Sequence, residues 1–109
     1  MADWNRPRII LDTDPGVDDA IAIITASWWA DIVGITTVAG NVSVDDTTNN
    51  ALRLRDLLGF DAPIHRGAET PLIAEPLHAR HVHGATGLGE VDLPSSTRAL
   101  DSEDAVGFL

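Results

Sequence analysis

The sequence predicts an α/β protein, an open parallel sheet that starts β-α-β-α-β. Two observations carry this expectation. Short apolar, β-branched runs of strand length alternate with longer helical stretches, and that alternation implies parallel strands joined by right-handed crossovers. Pro-Gly or Gly punctuates most of the junctions, as expected where regular elements end.

The elements follow in order. Arg8-Ile9-Ile10-Leu11-Asp12 reads as a buried strand that stops before Pro15-Gly16. Val17 to Ser27 reads as a helix: Asp18 and Asp19 suit its positive N-terminal end. Its later residues are apolar almost all round, which predicts substantial burial. Asp31 to Val38 is a second buried strand. After a turn at Ala39-Gly40-Asn41-Val42, Ser43 caps a second helix with Asp46 reaching back, Thr47, Ala51, Leu54 and Leu58 form its stripe, and Gly59 ends it. Arg53, Arg55 and Asp56 read as its solvated face. Ala62 to Arg66 is a short third strand.

From residue 67 to 96 the pattern dissolves around Pro71, Pro76 and Pro94. A loop that long in a compact domain is of the active-site type. Asp101 to Leu109 then reads as the first turns of a helix. Because the pattern stops there, residues 1–109 are expected to form the N-terminal part of a single larger domain, so that the fold is a truncated one.

Composition narrows the chemistry. The chain of 109 residues carries 17 acidic residues against seven cations, a formal charge of -10. Such a balance argues against nucleic-acid and anionic-membrane partners, whose phosphates need clustered cations. A hydrophobic fraction of 44% argues against a disordered acidic tail. Without cysteine, disulfides and thiolate zinc sites are excluded. All seven cations are Arg, which excludes Schiff-base and P-loop lysine chemistry. The N-terminus shows no secretory h-region and no run long enough to span a membrane, so a cytoplasmic setting is expected.

The chemistry concentrates at Asp12, Asp14, Asp18 and Asp19, between the first strand and the first helix. Ligands of open α/β sheets bind outside the carboxyl ends of strands. Crowded carboxylates there repel, and a hard cation with oxygen ligands, Ca²⁺ or Mg²⁺, relieves the conflict. An EF-hand loop does not fit: from Asp12, the position needing Gly holds Val17 and the twelfth holds Ile23. Asp12-Thr13-Asp14 fits half of a haloacid-dehalogenase-like phosphatase motif, with Asp12 as nucleophile, but Pro15-Gly16 and two further acids fit it poorly. Capping of a helix explains one or two of the carboxylates and not four around a Pro-Gly turn.

The segment Ile9-Ile10-Leu11-Asp12-Thr13-Asp14-Pro15-Gly16-Val17-Asp18-Asp19-Ala20 resembles the N-terminal signature of the inosine-uridine preferring nucleoside hydrolase family. Gly34-Ile35-Thr36-Thr37-Val38-Ala39-Gly40-Asn41 resembles its second strand and Gly-Asn turn. Arg66-Gly67-Ala68, Pro71-Leu72, His83-Gly84 and Gly87-Leu88-Gly89 resemble later segments in order. The resemblance implies a parallel α/β fold and Ca²⁺-dependent hydrolysis of the N-glycosidic bond of ribonucleosides in salvage. It also implies a homo-oligomer for the longer protein.

Site roles follow from the same resemblance. Asp14 resembles a Ca²⁺ ligand and the general base that activates water, and Asp19 the bidentate Ca²⁺ ligand. Asp18 resembles a ribose-hydroxyl partner, Asn41 a second sugar contact, and His83 a residue of a loop over the base. Asp12 resembles a support behind the ligands. The first helix looks about a turn shorter than the family's, and Trp28-Trp29 replaces a polar, Pro-containing turn, which is expected to shift that helix or expose two aromatics. The family's remaining ligands and leaving-group residues lie beyond the matched segments, so the 109-residue chain is expected to be inactive alone.

The remaining motifs are weaker. His81-Val82-His83 lacks a third placed ligand for zinc. His65 and His78 read as structural or exposed, and Trp28 and Trp29 as hydrophobic cover. A rival outside enzymology is a remnant that binds metal or a partner through Trp28-Trp29 and an open sheet edge.

Overall fold

A computed structural model of the chain describes residues 5–40, 42–73, 87–89 and 93–109. The strands are β1 (Arg8–Thr13), β2 (Asp31–Thr37) and β3 (Ile64–Arg66). The helices are α1 (Val17–Trp29), α2 (Val44–Leu58) and a single turn, α3 (Ala105–Phe108). The strands form one parallel sheet in the order β1-β2-β3. The β-α-β-α-β reading therefore holds, and both crossover helices pack on β2 and on each other.

The register explains the core. Ile9 pairs with Ile32 and Ile10 with Gly34, so Val33 is an extra residue in β2, a β-bulge. The bulge lets Ile32 and Ile35 both face the helices, where they join Ile64, Ala51, Leu52 and Ala62. The opposite sheet face carries Ile10, Asp12, Gly34, Thr36 and His65. Phe108 of α3 lies over Gly34, where any Cβ would collide with its ring, and stacks on His65 with centroids 4.0 Å apart. His65 is thus structural, its Nδ1 sharing a 2.5 Å hydrogen bond with Ser102.

α2 matches its expected bounds. Ser43 accepts the Asp46 N–H at 3.3 Å, and Gly59 ends the helix in the left-handed conformation, φ 74°. The capping box differs in one bond. The Asp46 carboxylate takes the Ser43 hydroxyl proton at 3.2 Å, where a longer Glu would reach the cap's backbone N–H.

Four expectations are corrected. α1 is not substantially buried: Ile23 is its one fully buried residue, and Ile21 is 62% exposed. One helix can lay only one stripe on a sheet, and an apolar sequence does not by itself supply a second surface. Trp28 and Trp29 fall inside the helix's last turn and stand 70% and 60% exposed, so they cover little. The guanidinium of Arg6 closes this end of α1 by donating to the Ser27 and Ala30 carbonyls at 2.8 and 2.7 Å.

Arg55 is not part of a solvated face. It is 1% exposed and donates to the Ala62 and Ala99 carbonyls and, at 2.7 Å, to the Asp101 carboxylate. Asp101 also accepts the Ile64 N–H at 2.8 Å, and Arg66 donates its N–H to the Ser102 carbonyl. Asp101 is therefore the anchor of a segment laid beside β3, and the terminal helix begins later, at Ala105 with Asp104 as its cap. Of the long loop, residues 67–73, 87–89 and 93–96 carry no helix or strand; the rest of that expectation lies outside the described residues.

Candidate active site

The site is built where β1 hands over to α1. A parallel sheet gathers the carboxyl ends of its strands at one edge. Here Thr13, Thr37 and Arg66 end the three strands in register. Asp14, Pro15 and Gly16 make the turn, and Asp18 and Asp19 fill the first turn of α1. Gly16 provides no side-chain cap, so the helix's positive end is left for acidic groups.

The structure draws together two of the four carboxylates. Asp14 and Asp19 are half-buried and within hydrogen-bonding reach of each other. Burial pushes the Asp19 carboxyl above its ordinary value, the hydrogen bond and charge of Asp14 push it the same way, and the hydroxyl of Thr13 opposes them. Asp18 is exposed. Asp12 is tied across the sheet instead: the Thr36 hydroxyl donates to its Oδ1 at 2.7 Å. This bond lies on the sheet face opposite α1 and α2, because β1 alternates and Leu11 faces the helices.

The turn after β2 passes directly against Asp14. A Cβ on Gly40 would sit 2.6 Å from the Asp14 Cγ and closer still to Oδ2, so only glycine permits this approach. The same edge is braced by buried hydroxyls. Thr37 and Thr48 share a hydrogen bond of 2.7 Å, and Thr47 donates to the Val38 carbonyl at 3.0 Å. From α2, the Asn50 amide donates to the Pro15 carbonyl at 3.0 Å.

Two expected substrate contacts, Asn41 to the sugar and His83 in the loop over the base, lie outside the described residues, as do His78 and the His81-His83 pair. Among the described residues no group of three His, Asp or Glu side chains converges as a metal site. The Asp14–Asp19 pair fits part of a ligand set for a hard cation: two oxygen-donor side chains within hydrogen-bonding reach, the Asp19 carboxyl raised by burial and by the hydrogen bond and charge of Asp14.

Sequence reasoning missed Thr13, Thr36, Gly40 and Asn50. For Asn50 a signal existed. It lies next to Ala51, between Thr47 and Leu54, on the buried stripe of α2, and a polar side chain there needs a partner. The Thr36–Asp12 bond required the strand register, which no local pattern gives.

Comparison with known proteins identifies the family and the fold. The family model described as inosine-uridine preferring nucleoside hydrolase matches residues 9–109. Uridine nucleosidase 1 of Arabidopsis thaliana is 45% identical over 94% of this chain and 32% of its own length. The non-specific ribonucleoside hydrolase RihC of Escherichia coli is 47% identical over 85% of this chain and 31% of its own. The solved purine-preferring ribonucleoside hydrolase from Gardnerella vaginalis superposes with a TM-score of 0.85 and 34% identity, over 93% of this chain and 34% of that one. The chain spans about a third of the length of the relatives it matches. It belongs to the inosine-uridine preferring nucleoside hydrolase family.

Proposed function

We propose that these residues form one wall of a site that hydrolyses the N-glycosidic bond of ribonucleosides to ribose and free base, with Ca²⁺ as the metal. The observation that carries the reading is the contact of Asp14 and Asp19 at the carboxyl end of β1, in a chain of this family. The names of the relatives, a uridine nucleosidase and a non-specific ribonucleoside hydrolase, support the substrate class.

The chemistry asks for an activated water and a firm hold on the sugar. Cleaving C1′–N develops oxocarbenium character, as in other glycoside hydrolyses. Asp14 takes a proton from the attacking water, whose oxygen bonds to C1′ while the bond to the base breaks. The base departs with a proton from a group outside the described residues. Asp14 and Asp19 would hold the cation, and Asp18, exposed beside them, would accept hydrogen bonds from the ribose hydroxyls, with Asn41 and His83 as further sugar and base contacts. When bound, Ca²⁺ supplies fixed positive charge that acidifies water and orients the sugar hydroxyls. Of the expected loop region, the described residues 67–73, 87–89 and 93–96 would border the substrate.

The 109 residues by themselves are proposed to bind Ca²⁺ weakly and to turn over little or no nucleoside, because two carboxylates are a fraction of the roughly six to eight oxygens Ca²⁺ takes. Titration calorimetry with Ca²⁺ tests the site: binding is expected, and is lost in Asp19→Asn. Ribose release from uridine and inosine tests the chemistry. The chain alone is expected to release almost none, whereas a chimera in which it replaces the matching third of the Escherichia coli relative is active and loses activity on Asp14→Ala. An active Asp14→Ala chimera would sink the assignment, and turnover near ~1 s⁻¹ by the chain alone would sink the claim of inactivity.

A further inference from the structure

We propose that Asn50 is the positioning residue of the acidic turn: from α2 it grips the Pro15 carbonyl and thereby sets the approach of Asp14 to Asp19. The inference rests on the metal-site reading above for its consequence, and on geometry alone for the grip itself.

Pro15 has no N–H, so its carbonyl is that residue's single hydrogen-bonding group. The Asn50 Nδ2 meets it at 3.0 Å across 35 residues of chain. Both residues are almost wholly buried, Asn50 at 1% exposure. A hydrogen bond shut away from water is the kind that costs most to break, because the abandoned carbonyl finds no solvent.

A third segment closes over the bond. Gly87 sits at φ 96°, and a Cβ there would lie 3.1 Å from the Asn50 Nδ2, 3.4 Å from the Pro15 carbonyl oxygen and 3.0 Å from a Val42 methyl. A side chain at 87 would crowd this junction, so the residue that φ favours is also the residue the clamp requires. Leu88 follows, buried at 6% exposure, and Gly89 packs near Val17 at the start of α1. The acidic turn, α2 and the Gly87-Leu88-Gly89 segment thus meet at one amide.

Local preference argues that this amide is there for the turn. Asparagine is a poor resident of a helix interior because its side chain competes for backbone groups. Its neighbours on the stripe, Ala51 and Leu54, are what a helix packed on a sheet needs. Leucine at 50 would serve α2; it would remove the Asn50 donor from the Pro15 carbonyl.

The test uses the 109-residue chain with Asn50→Ala and Asn50→Asp, the latter keeping the shape but offering an acceptor to a carbonyl. Leu52→Ala serves as a control that loosens the core away from the turn. Two readouts are compared under conditions where circular dichroism shows each variant folded. The first is hydrogen exchange at the Ala20 amide, whose bond to the Gly16 carbonyl at 2.9 Å is the first of α1 and abuts the acidic turn, set against the Leu54 amide inside α2. The second is Ca²⁺ affinity by calorimetry.

Both Asn50 variants are expected to lose protection at Ala20 more than at Leu54, and to weaken Ca²⁺ binding roughly 10–100-fold, the usual loss when a support behind a metal ligand is removed. Leu52→Ala is expected to lower both amides together and keep its Ca²⁺ affinity within about twofold, well short of that loss. Equal loss at the two amides in the Asn50 variants, or unchanged protection at Ala20, overturns the proposal. If the unaltered chain takes up no Ca²⁺, the metal reading fails and the Ala20 comparison alone decides the grip. Should Asn50→Ala not fold, Asn50→Gln is read the same way, since it favours helix and carries the amide on an arm one methylene too long.

Discussion

Replacing Gly40 by alanine isolates what the second turn does for the carboxylate site. The added Cβ would lie 2.6 Å from the Asp14 Cγ and 2.9 Å from its Cβ. Carbon atoms in contact prefer separations of about 3.5–4.0 Å, so the Asp14 side chain must retreat by about 1 Å. Turning the carboxylate about its own axis does not help, because the clash includes the Cβ of Asp14. A change of χ1 moves the carboxylate but not that Cβ, so the backbone of one turn must also shift, and the shift disturbs the seating of Asp14 beside Asp19. Sites of this kind tolerate displacements of about 0.5 Å, and losing a supported ligand position costs about 10–100-fold in metal affinity. Overpacking itself costs about 1–3 kcal/mol, so the variant should remain folded at low temperature. Calorimetric titration with Ca²⁺ at neutral pH reads the result, with a urea melt followed by tryptophan fluorescence to confirm the fold. A folded Gly40→Ala chain whose Ca²⁺ affinity stays within about twofold of the parent would refute the claim that this glycine seats Asp14.

Other outcomes follow from the packing. Asp101→Asn leaves the buried Arg55 guanidinium with its carbonyls but without its ion-pair partner, and should cost about 3 kcal/mol in a urea melt, the lower end for breaking a buried pair because Asp101 is partly exposed. Burial pushes the Asp101 carboxyl up, but the Ile64 N–H and the charges of Arg55 and Arg98 outweigh it and hold it below its ordinary value of 3.8. Its stabilisation is therefore complete above that value and lost as pH falls through the lowered one, so a parent-minus-variant stability difference that narrows below pH 3.8 is expected in acid titrations followed by circular dichroism. Thr48→Val strands the buried Thr37 hydroxyl and should destabilise by about 1–3 kcal/mol in the same melt. Gly59→Ala meets no atom within 4 Å, so its cost is that of the left-handed backbone alone, about 1–2 kcal/mol, visible as a lowered melting midpoint with an unchanged spectrum.

The elements of this chain were legible because their signals are local. Strand β2 is a β-branched run, and α2 carries a cap at Ser43 and a stop at Gly59, each a preference of a few neighbouring residues. Arg55 misled because a charged residue beside Asp56 on a helix looks solvated. Its partners, Ala62, Ala99 and Asp101, lie up to 46 residues away, and a helix pattern holds no record of them. α1 misled in the opposite direction, since its apolar surface exceeds what one sheet face can cover.

By itself the sequence determined the parallel α/β start, the family, and the placing of four acids at the carboxyl end of a strand. Those are matters of period, punctuation and motif, which neighbouring residues carry among themselves. The tertiary structure decided which acids meet. It tied Asp12 to Thr36 through strand register, brought Asp14 to Asp19 past a bare Gly40, and set Asn50 against the turn that joins them. The Asp12–Thr36, Asp14–Gly40 and Pro15–Asn50 approaches each span a crossover, and the distance between two side chains across a crossover is fixed by how the layers pack, which no stretch of the chain specifies alone.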